Sequence, residues 1–206
     1  MSIEEKSATK RTLRAQGTRR TIFDNAVELF ARYGYEKVTV DDIAARSGVS
    51  KGAFYHHFPT KESILVEQFD KIDDAYDAAF EAADPDLSAG EQLQLLVDTM
   101  TDYCTRVCGI QVIRTVYAAQ IAGSDATPIL HNKNRRIYHY LRAIVDRGVD
   151  GGEFTSGLER EALVELLMRA CRSLVYDWCL YEGRMDLVEE GRRFFPLVYG
   201  WLAGKK

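Results

Sequence analysis

Apolar residues at helical spacing recur from about residue 18 to the end of the chain, most runs opened by a capping pair, and strand patterning is scarce throughout. That recurrence confines the chain to an all-α fold. Thr39 with Asp42, Ser88 with Glu91, Ser156 with Glu159 and Asp186 with Glu189 each put a short oxygen at a helix start and a carboxylate three positions on. In the first helix Ile22, Ala26, Leu29 and Tyr33 form one stripe, widened by Phe23 and Phe30 and ended by Gly34. A short second helix follows Thr39 and breaks at Ser47-Gly48-Val49. Ser50 caps a third over about Lys51 to His57, closed by Pro59. Thr60 opens a long fourth helix through Ile64, Leu65, Gln68, Ile72 and Tyr76 to about Ala83.

The rest of the chain reads in the same way. One helix runs from Ser88 through Met100 to Val107, Gly109 permits a bend, and a shorter helix reaches Ile121. Thr127 and Pro128 suit the first positions of a helix ending near Val149. Glycines 148, 151, 152 and 157 mark the stretch expected to be the most mobile loop. Two helices finish the chain, from about Leu158 to Tyr181 and from Asp186 to near Leu202, with Pro196 expected to kink or split the last. The expectation is about nine helices.

The 206 residues, 46% hydrophobic and 28% charged, suit a soluble globular protein with a real core. The net charge is -4, but it is unevenly spread. Residues 1–60 hold 10 Lys and Arg against 7 Asp and Glu, whereas residues 61–206 hold 17 against 24. Only the first part suits a polyanion. Its cations concentrate in Lys6, Lys10, Arg11, Arg14, Arg19 and Arg20, the composition of a phosphate-seeking arm and equally of a solvated tail. The polar start lacks a secretory apolar stretch, and no later run approaches the ~20 apolar residues of a membrane span. A cytoplasmic protein without a membrane partner is expected. Cys104, Cys108, Cys171 and Cys179 are then free thiols in a reducing compartment.

Two short helices joined by a tight turn at Gly48 are the sequence form of a helix-turn-helix, a pattern that many helix pairs share. The run from Arg20 to Leu65 is more specific, and it resembles the N-terminal domain of TetR-family regulators. Ile22, Ala26, Leu29, Phe30 and Gly34 carry the likeness, then Thr39, Ile43 and Ala44, then Gly48-Val49-Ser50-Lys51-Gly52. Tyr55-His56-His57-Phe58, Lys61, Glu62 and Leu65 complete it. The resemblance implies a basic flexible arm over 1–17, a three-helix DNA-binding domain over 18–60 and a helical ligand-binding and dimerisation domain over 61–206.

It also implies roles for residues. Thr39, Tyr55, His56 and Lys61 are expected on phosphates of double-stranded DNA, with Arg19 and Arg20 in the basic segment before them and Ser50 capping the recognition helix. Lys51, Gly52 and Ala53 are expected at base edges. Ile43, Ala44, Val49, Phe54 and Phe58 have the character of core residues, and His57 sits where it meets the helix dipole.

In this family the C-terminal helices hold a small-molecule effector whose occupancy moves two DNA-binding domains. Tyr103, Val107, Tyr117, Tyr138, Leu141, Met168, Cys171, Arg172 and Tyr176 are suited to line such a cavity, although aromatic and Met stripes at this spacing also make ordinary cores. Arg172, or Arg114, would favour an acidic ligand if it faced the cavity. The last two helices carry apolar residues on more than one face, enlarged by Trp178, Phe194, Phe195, Val198 and Trp201, so a homodimer through them is expected.

An enzyme finds little support: no phosphate-binding glycine loop, nucleophile elbow or metal-ligand cluster is present, and no cofactor is expected. Cys104 and Cys108, at i and i+4, lack a convincing third ligand. A structural interaction protein would leave Gly48 to Leu65 unexplained. The expected function is a ligand-responsive repressor, released from a palindromic operator by an inducer.

Overall fold

The computed structural model describes residues 3–121 and 130–204, which are helical with no strand. In order the helices are α1 (Ile3–Tyr33), α2 (Val40–Ser47), α3 (Lys51–His57), α4 (Glu62–Asp70) and α5 (Ile72–Glu81), then α6 (Ala89–Asp102), α7 (Gly109–Ile121), α8 (Arg136–Asp150), α9 (Arg160–Leu180) and α10 (Leu187–Leu202). A 3-10 turn, Tyr35–Lys37, separates α1 from α2, and a π-helical stretch, Tyr103–Cys108, joins α6 to α7. The all-α class is as the sequence implies. The chain divides into two compact units, residues 1–68 and 69–206.

In the first unit, Ile22, Phe23, Ala26 and Phe30 of α1 are buried, as are Ile43 and Ala44 of α2 and Phe54 of α3. The residues that follow Pro59 close this unit. Ile64 and Leu65 of α4 are buried, and Tyr35 donates its phenol proton to Glu62 at 2.6 Å. Burial, with Glu62 beside it, drives the Tyr35 pKa far above the usual phenol range. The compact unit that holds this segment extends to Gln68.

The second unit is built on α6. It packs against α5, α8 and α10, and α9 packs against α8, α7 and α10. Close approach explains two of its glycines. A Cβ on Gly191 of α10 would stand 3.1 Å from Val97 on α6, and one on Gly148 of α8 would run into the ring of Phe154.

Several boundaries differ from expectation. α1 begins at Ile3, through the segment expected as a flexible arm, because residues 3–17 are mostly good helix formers interrupted only by Gly17. The expected helix from Thr60 to Ala83 is broken at Lys71, where neither Pro nor Gly marks the chain. The start expected at Thr127 and Pro128 lies outside the described residues. α8 itself begins at Arg136, after Asn132 has turned its side chain to the backbone N–H of Asn134 at 3.0 Å. α10 continues across Pro196 without splitting, since Pro196 and Arg192 are exposed and water can serve the carbonyl that loses its donor. Ser156 and Glu159 do not form a capping box, and α9 starts without a side-chain cap.

The glycine-rich stretch is also anchored rather than loose. Phe154 is buried and its N–H bonds Gly148 at 2.9 Å, while Thr155 N–H bonds the Leu202 carbonyl at 2.8 Å. The Glu153 carboxylate accepts from the backbone of Ala89 and Gly90, at 3.0 and 3.3 Å. It satisfies two free donors at the start of α6 from 63 or more residues away.

Candidate nucleic-acid interface and effector cavity

The helix-turn-helix forms from local chemistry. Thr39 accepts from Asp42 N–H at 3.2 Å while Asp42 accepts from Thr39 N–H at 2.8 Å, a complete capping box. The Thr39 hydroxyl also donates to the Asp42 carboxylate at 2.6 Å, and this bond, then the one from Thr39 N–H, holds that carboxyl below its ordinary pKa. Gly48 ends α2 at φ 65, a left-handed conformation in which a Cβ is strained, so the chain turns within three residues. Ser50 then accepts from Ala53 N–H at 3.1 Å and starts α3.

On α3, Phe54 is fully buried while Lys51, Gly52, Tyr55 and His56 are exposed, Tyr55 at 48%. The anchor and the expected contacts are thus on different faces of a seven-residue helix. Three expected contacts have partners already. Lys51 lies 2.9 Å from Asp41, which raises its pKa. Arg19 makes a bidentate pair with Glu67 at 2.9 and 2.7 Å and stands 4.6 Å from the centre of the Phe58 ring. Lys61 donates to the carbonyls of Tyr35 and Val38, at 2.9 and 3.0 Å, with its ammonium over the Tyr35 ring. It therefore fixes the turn before α2. Arg20 is more open, 3.7 Å from Asp24 with its side chain 85% exposed. His57 is shifted below its ordinary pKa by burial, with His56 and Arg19 adding to the effect.

In the second unit a cavity of about 40 Å³ lies among α5 to α9. Of the residues expected to line it, Tyr117, Met168, Cys171 and Arg172 do. Tyr138 and Leu141 are buried core, the Tyr138 hydroxyl lying 3.5 Å from Arg172. Tyr176 does not belong to the lining: it is 41% exposed, its ring 6.1 Å from that of Tyr117. Tyr103 and Val107 are also misplaced. They face a separate groove beside Asp98, Asp102, Arg106 and Arg192. The cavity uses Met100 and Cys104 instead, an i, i+4 pair on the neighbouring stripe.

Sequence reasoning also missed Ile72, Tyr76, Leu130, Arg135, Ile137 and Val175. The i, i+4 pairs Ile72–Tyr76 and Met168–Arg172 were the available signal. Arg114 is exposed on α7 and outside the lining, so only Arg172 meets the condition set for an acidic ligand.

Burial raises the pKa of all four thiols, to about 12 for Cys108 and Cys171, about 11 for Cys179, and well upward for Cys104. Neutral buried thiols are poor ligands and nucleophiles. Among the described residues no group of three His, Cys, Asp or Glu is placed to hold a metal ion, and no helix is long and apolar enough to cross a membrane.

Along α9 and α10 a third depression, of about 540 Å³, is open and apolar. Leu166, Phe194, Leu197, Val198 and Trp201 line it, with Leu197 exposed at 74% and Trp201 at 56%. Trp178 and Phe195, also expected at this surface, are instead buried within the unit.

The sequence and the fold have counterparts among known proteins. Residues 22–67 match the family of bacterial regulatory proteins described as the tetR family. The repressor KstR2 of Rhodococcus jostii (strain RHA1) is 26% identical over 191 residues, covering 91% of this chain and 92% of that protein. The fatty acid metabolism regulator protein of Bacillus subtilis (strain 168) is 26% identical over 188 residues, covering 89% and 95%. A TetR-family regulator from Pectobacterium atrosepticum shares the fold with a TM-score of 0.71 at 20% identity, over 93% of this chain and 96% of that one. FadR from Bacillus subtilis, solved in complex with stearoyl-CoA, does so with a TM-score of 0.59 at 22% identity, over 91% and 98%. Residues 22–67 are thus similar to the DNA-binding segment of tetR-family regulators, and most of the chain is similar in sequence and fold to regulators of that kind.

Proposed function

We propose that the protein is a cytoplasmic, ligand-responsive repressor that binds a palindromic operator as a homodimer and leaves it when a small molecule enters the second unit. The observation that carries the DNA-binding part is α3, which buries Phe54 and exposes Lys51, Gly52, Tyr55 and His56 beside the capped turn. Lys51 exchanges Asp41 for a base edge, with Gly52 and Ala53 allowing close approach. Thr39, Ser50, Tyr55, His56, Arg19 and Arg20 serve the phosphates. Lys61 gives two of its three donors to carbonyls and keeps one for a phosphate.

Repression is supported by the repressor name of the Rhodococcus relative, and a small-molecule effector by the stearoyl-CoA complex of a protein with this fold. The open apolar face of α9 and α10 supports a dimer, because two copies related by a two-fold axis would cover Leu197 and Trp201 on each other. That symmetry would match two operator half-sites one helical turn of DNA, or a multiple of it, apart.

The test is binding of the purified protein to its own upstream intergenic DNA across a salt series, beside a Lys51→Ala, Tyr55→Phe variant. Saturable binding that weakens with salt and with the substitutions is expected. Equal affinity of wild type and variant for every fragment would remove α3 from recognition.

A further inference from the structure

Two arginines line the α5–α9 cavity, and they differ in how their charge is met. Arg135 stands at the start of α8 with Asp73 of α5 at 2.9 Å. Arg172 sits in the middle of α9, and its guanidinium donates to the Leu130 carbonyl at 2.9 Å, with the Tyr138 hydroxyl at 3.5 Å. Both are neutral acceptors, and among the described residues no carboxylate lies within ion-pair distance of Arg172. Around it the wall is apolar or aromatic: Ile72, Tyr76, Met100, Tyr117, Met168 and Val175. Glu165, seven residues earlier on α9, feels the Arg172 charge but makes its ion pair with Lys133, so Arg172 lines the apolar cavity without a bonded counter-charge, a costly arrangement that a delivered anion would partly relieve.

We infer that the effector is an anion with an apolar body, whose charged head pairs with Arg172 while its body displaces the side chains now closing the cavity. The inference deepens the regulator reading given above and rests on it for the word effector. At about 40 Å³ the space holds a few water molecules and no organic ligand, so entry requires the walls to open. Met100 and Met168, unbranched and readily re-packed, are the parts of the wall able to yield. The planar fork of Arg172 suits a carboxylate or a phosphate equally, and these two sources differ in what they attach to.

The test uses the full chain and a matched set of eight-carbon probes: octanoate, octyl phosphate, octanoyl-CoA, octanol and octyltrimethylammonium. Calorimetric affinities are measured for the wild type, Arg172→Gln, Arg172→Lys and the exposed control Arg114→Gln. Octanoate or a phosphate-bearing probe should bind the wild type at least about tenfold more tightly than octanol. That advantage should disappear in Arg172→Gln, return in part in Arg172→Lys and persist in Arg114→Gln. Whichever anion shows the Arg172 dependence identifies carboxylate or phosphate as the head.

Octanol or octyltrimethylammonium binding as tightly as the anions would overturn the inference, as would anion binding indifferent to Arg172 or no binding of any probe. The probe series on the wild type decides even if Arg172→Gln unfolds. DNA binding of the same preparations separates the two readings. A protein that holds its DNA but takes no anion keeps the regulator reading and loses this one, whereas Arg172-dependent anion binding without DNA binding does the reverse.

Discussion

The two units keep their chemistry in different places. In residues 1–68 the groups suited to DNA stand outside and the packing groups inside, with neighbours such as Phe54 and Tyr55 assigned to opposite sides by one step along a helix. In residues 69–206 the candidate site is interior, so the same kinds of residue, Tyr, Met, Ile and Val, build both the core and the cavity wall. A surface site separates function from packing by exposure. An interior site separates them only by geometry, and much of that geometry comes from residues distant in sequence.

Four experiments sharpen or break this contrast. Removing an anchor of the first unit should have the largest effect. Phe54→Ala empties a fully buried site and should cost about 3–5 kcal/mol in urea unfolding, abolishing DNA binding although Phe54 is itself hidden from DNA. Unchanged stability would mean that α3 is not held as described. Next is the open apolar face of the second unit. Leu197→Glu with Trp201→Glu places charges on the open face of α9 and α10 and should weaken a dimer by about a hundredfold or more in sedimentation, with the monomer still helical. A native protein that already sediments as a monomer would remove the partner from the proposed function.

Two glycines then compare local with distant constraint. Gly148→Ala drives a methyl group into the Phe154 ring and should cost about 1–3 kcal/mol, whereas Gly48→Ala meets no neighbour and should cost only the left-handed strain of about 1 kcal/mol. Thermal unfolding of both variants checks the order. The smallest effect concerns acid. Asp42 has a depressed pKa when folded, so its contribution is present above the ordinary carboxylate value and is lost as the pH falls through the lower folded one. Asp42→Asn should flatten the acid limb of the stability curve below about pH 4 and leave neutral stability to the loss of one cap bond.

How much was legible in the sequence follows the same division. The Thr39 box, Gly48 and the Ser50 cap act over three or four residues, and they delimit α2 and α3 to within a residue. The Ser88–Glu91 box forms as well, but the same spacing at Ser156 and Glu159 stays unused. What the sequence concealed depends on distant partners. Nothing near Gly148 to Gly157 announces that Glu153 will cap α6 or that Thr155 will bind Leu202. Tyr103 and Val107 satisfied the helical period as well as Met100 and Cys104 did, and only packing showed which stripe faced inward. Arg19 and Lys61 were legible as cations, but their present partners, Glu67 and the Tyr35 and Val38 carbonyls, were not.

The start of α8 sets an order of assembly. This helix opens with Arg135 and Arg136, two cations at the end where the backbone dipole is already positive, and Arg135 offers no side-chain cap. The missing negative charge comes from α5: Asp73 accepts from the Arg135 guanidinium and the Arg136 N–H, and Asp77 pairs with the Arg136 side chain. A peptide spanning only residues 130–150 should fray at its leading turn, and α8 should wind fully only once α5 lies against it. In the refolding chain, amide protection at the head of α8 should therefore appear together with that of α5, and substituting Asp73 should delay the former while sparing the turns that follow.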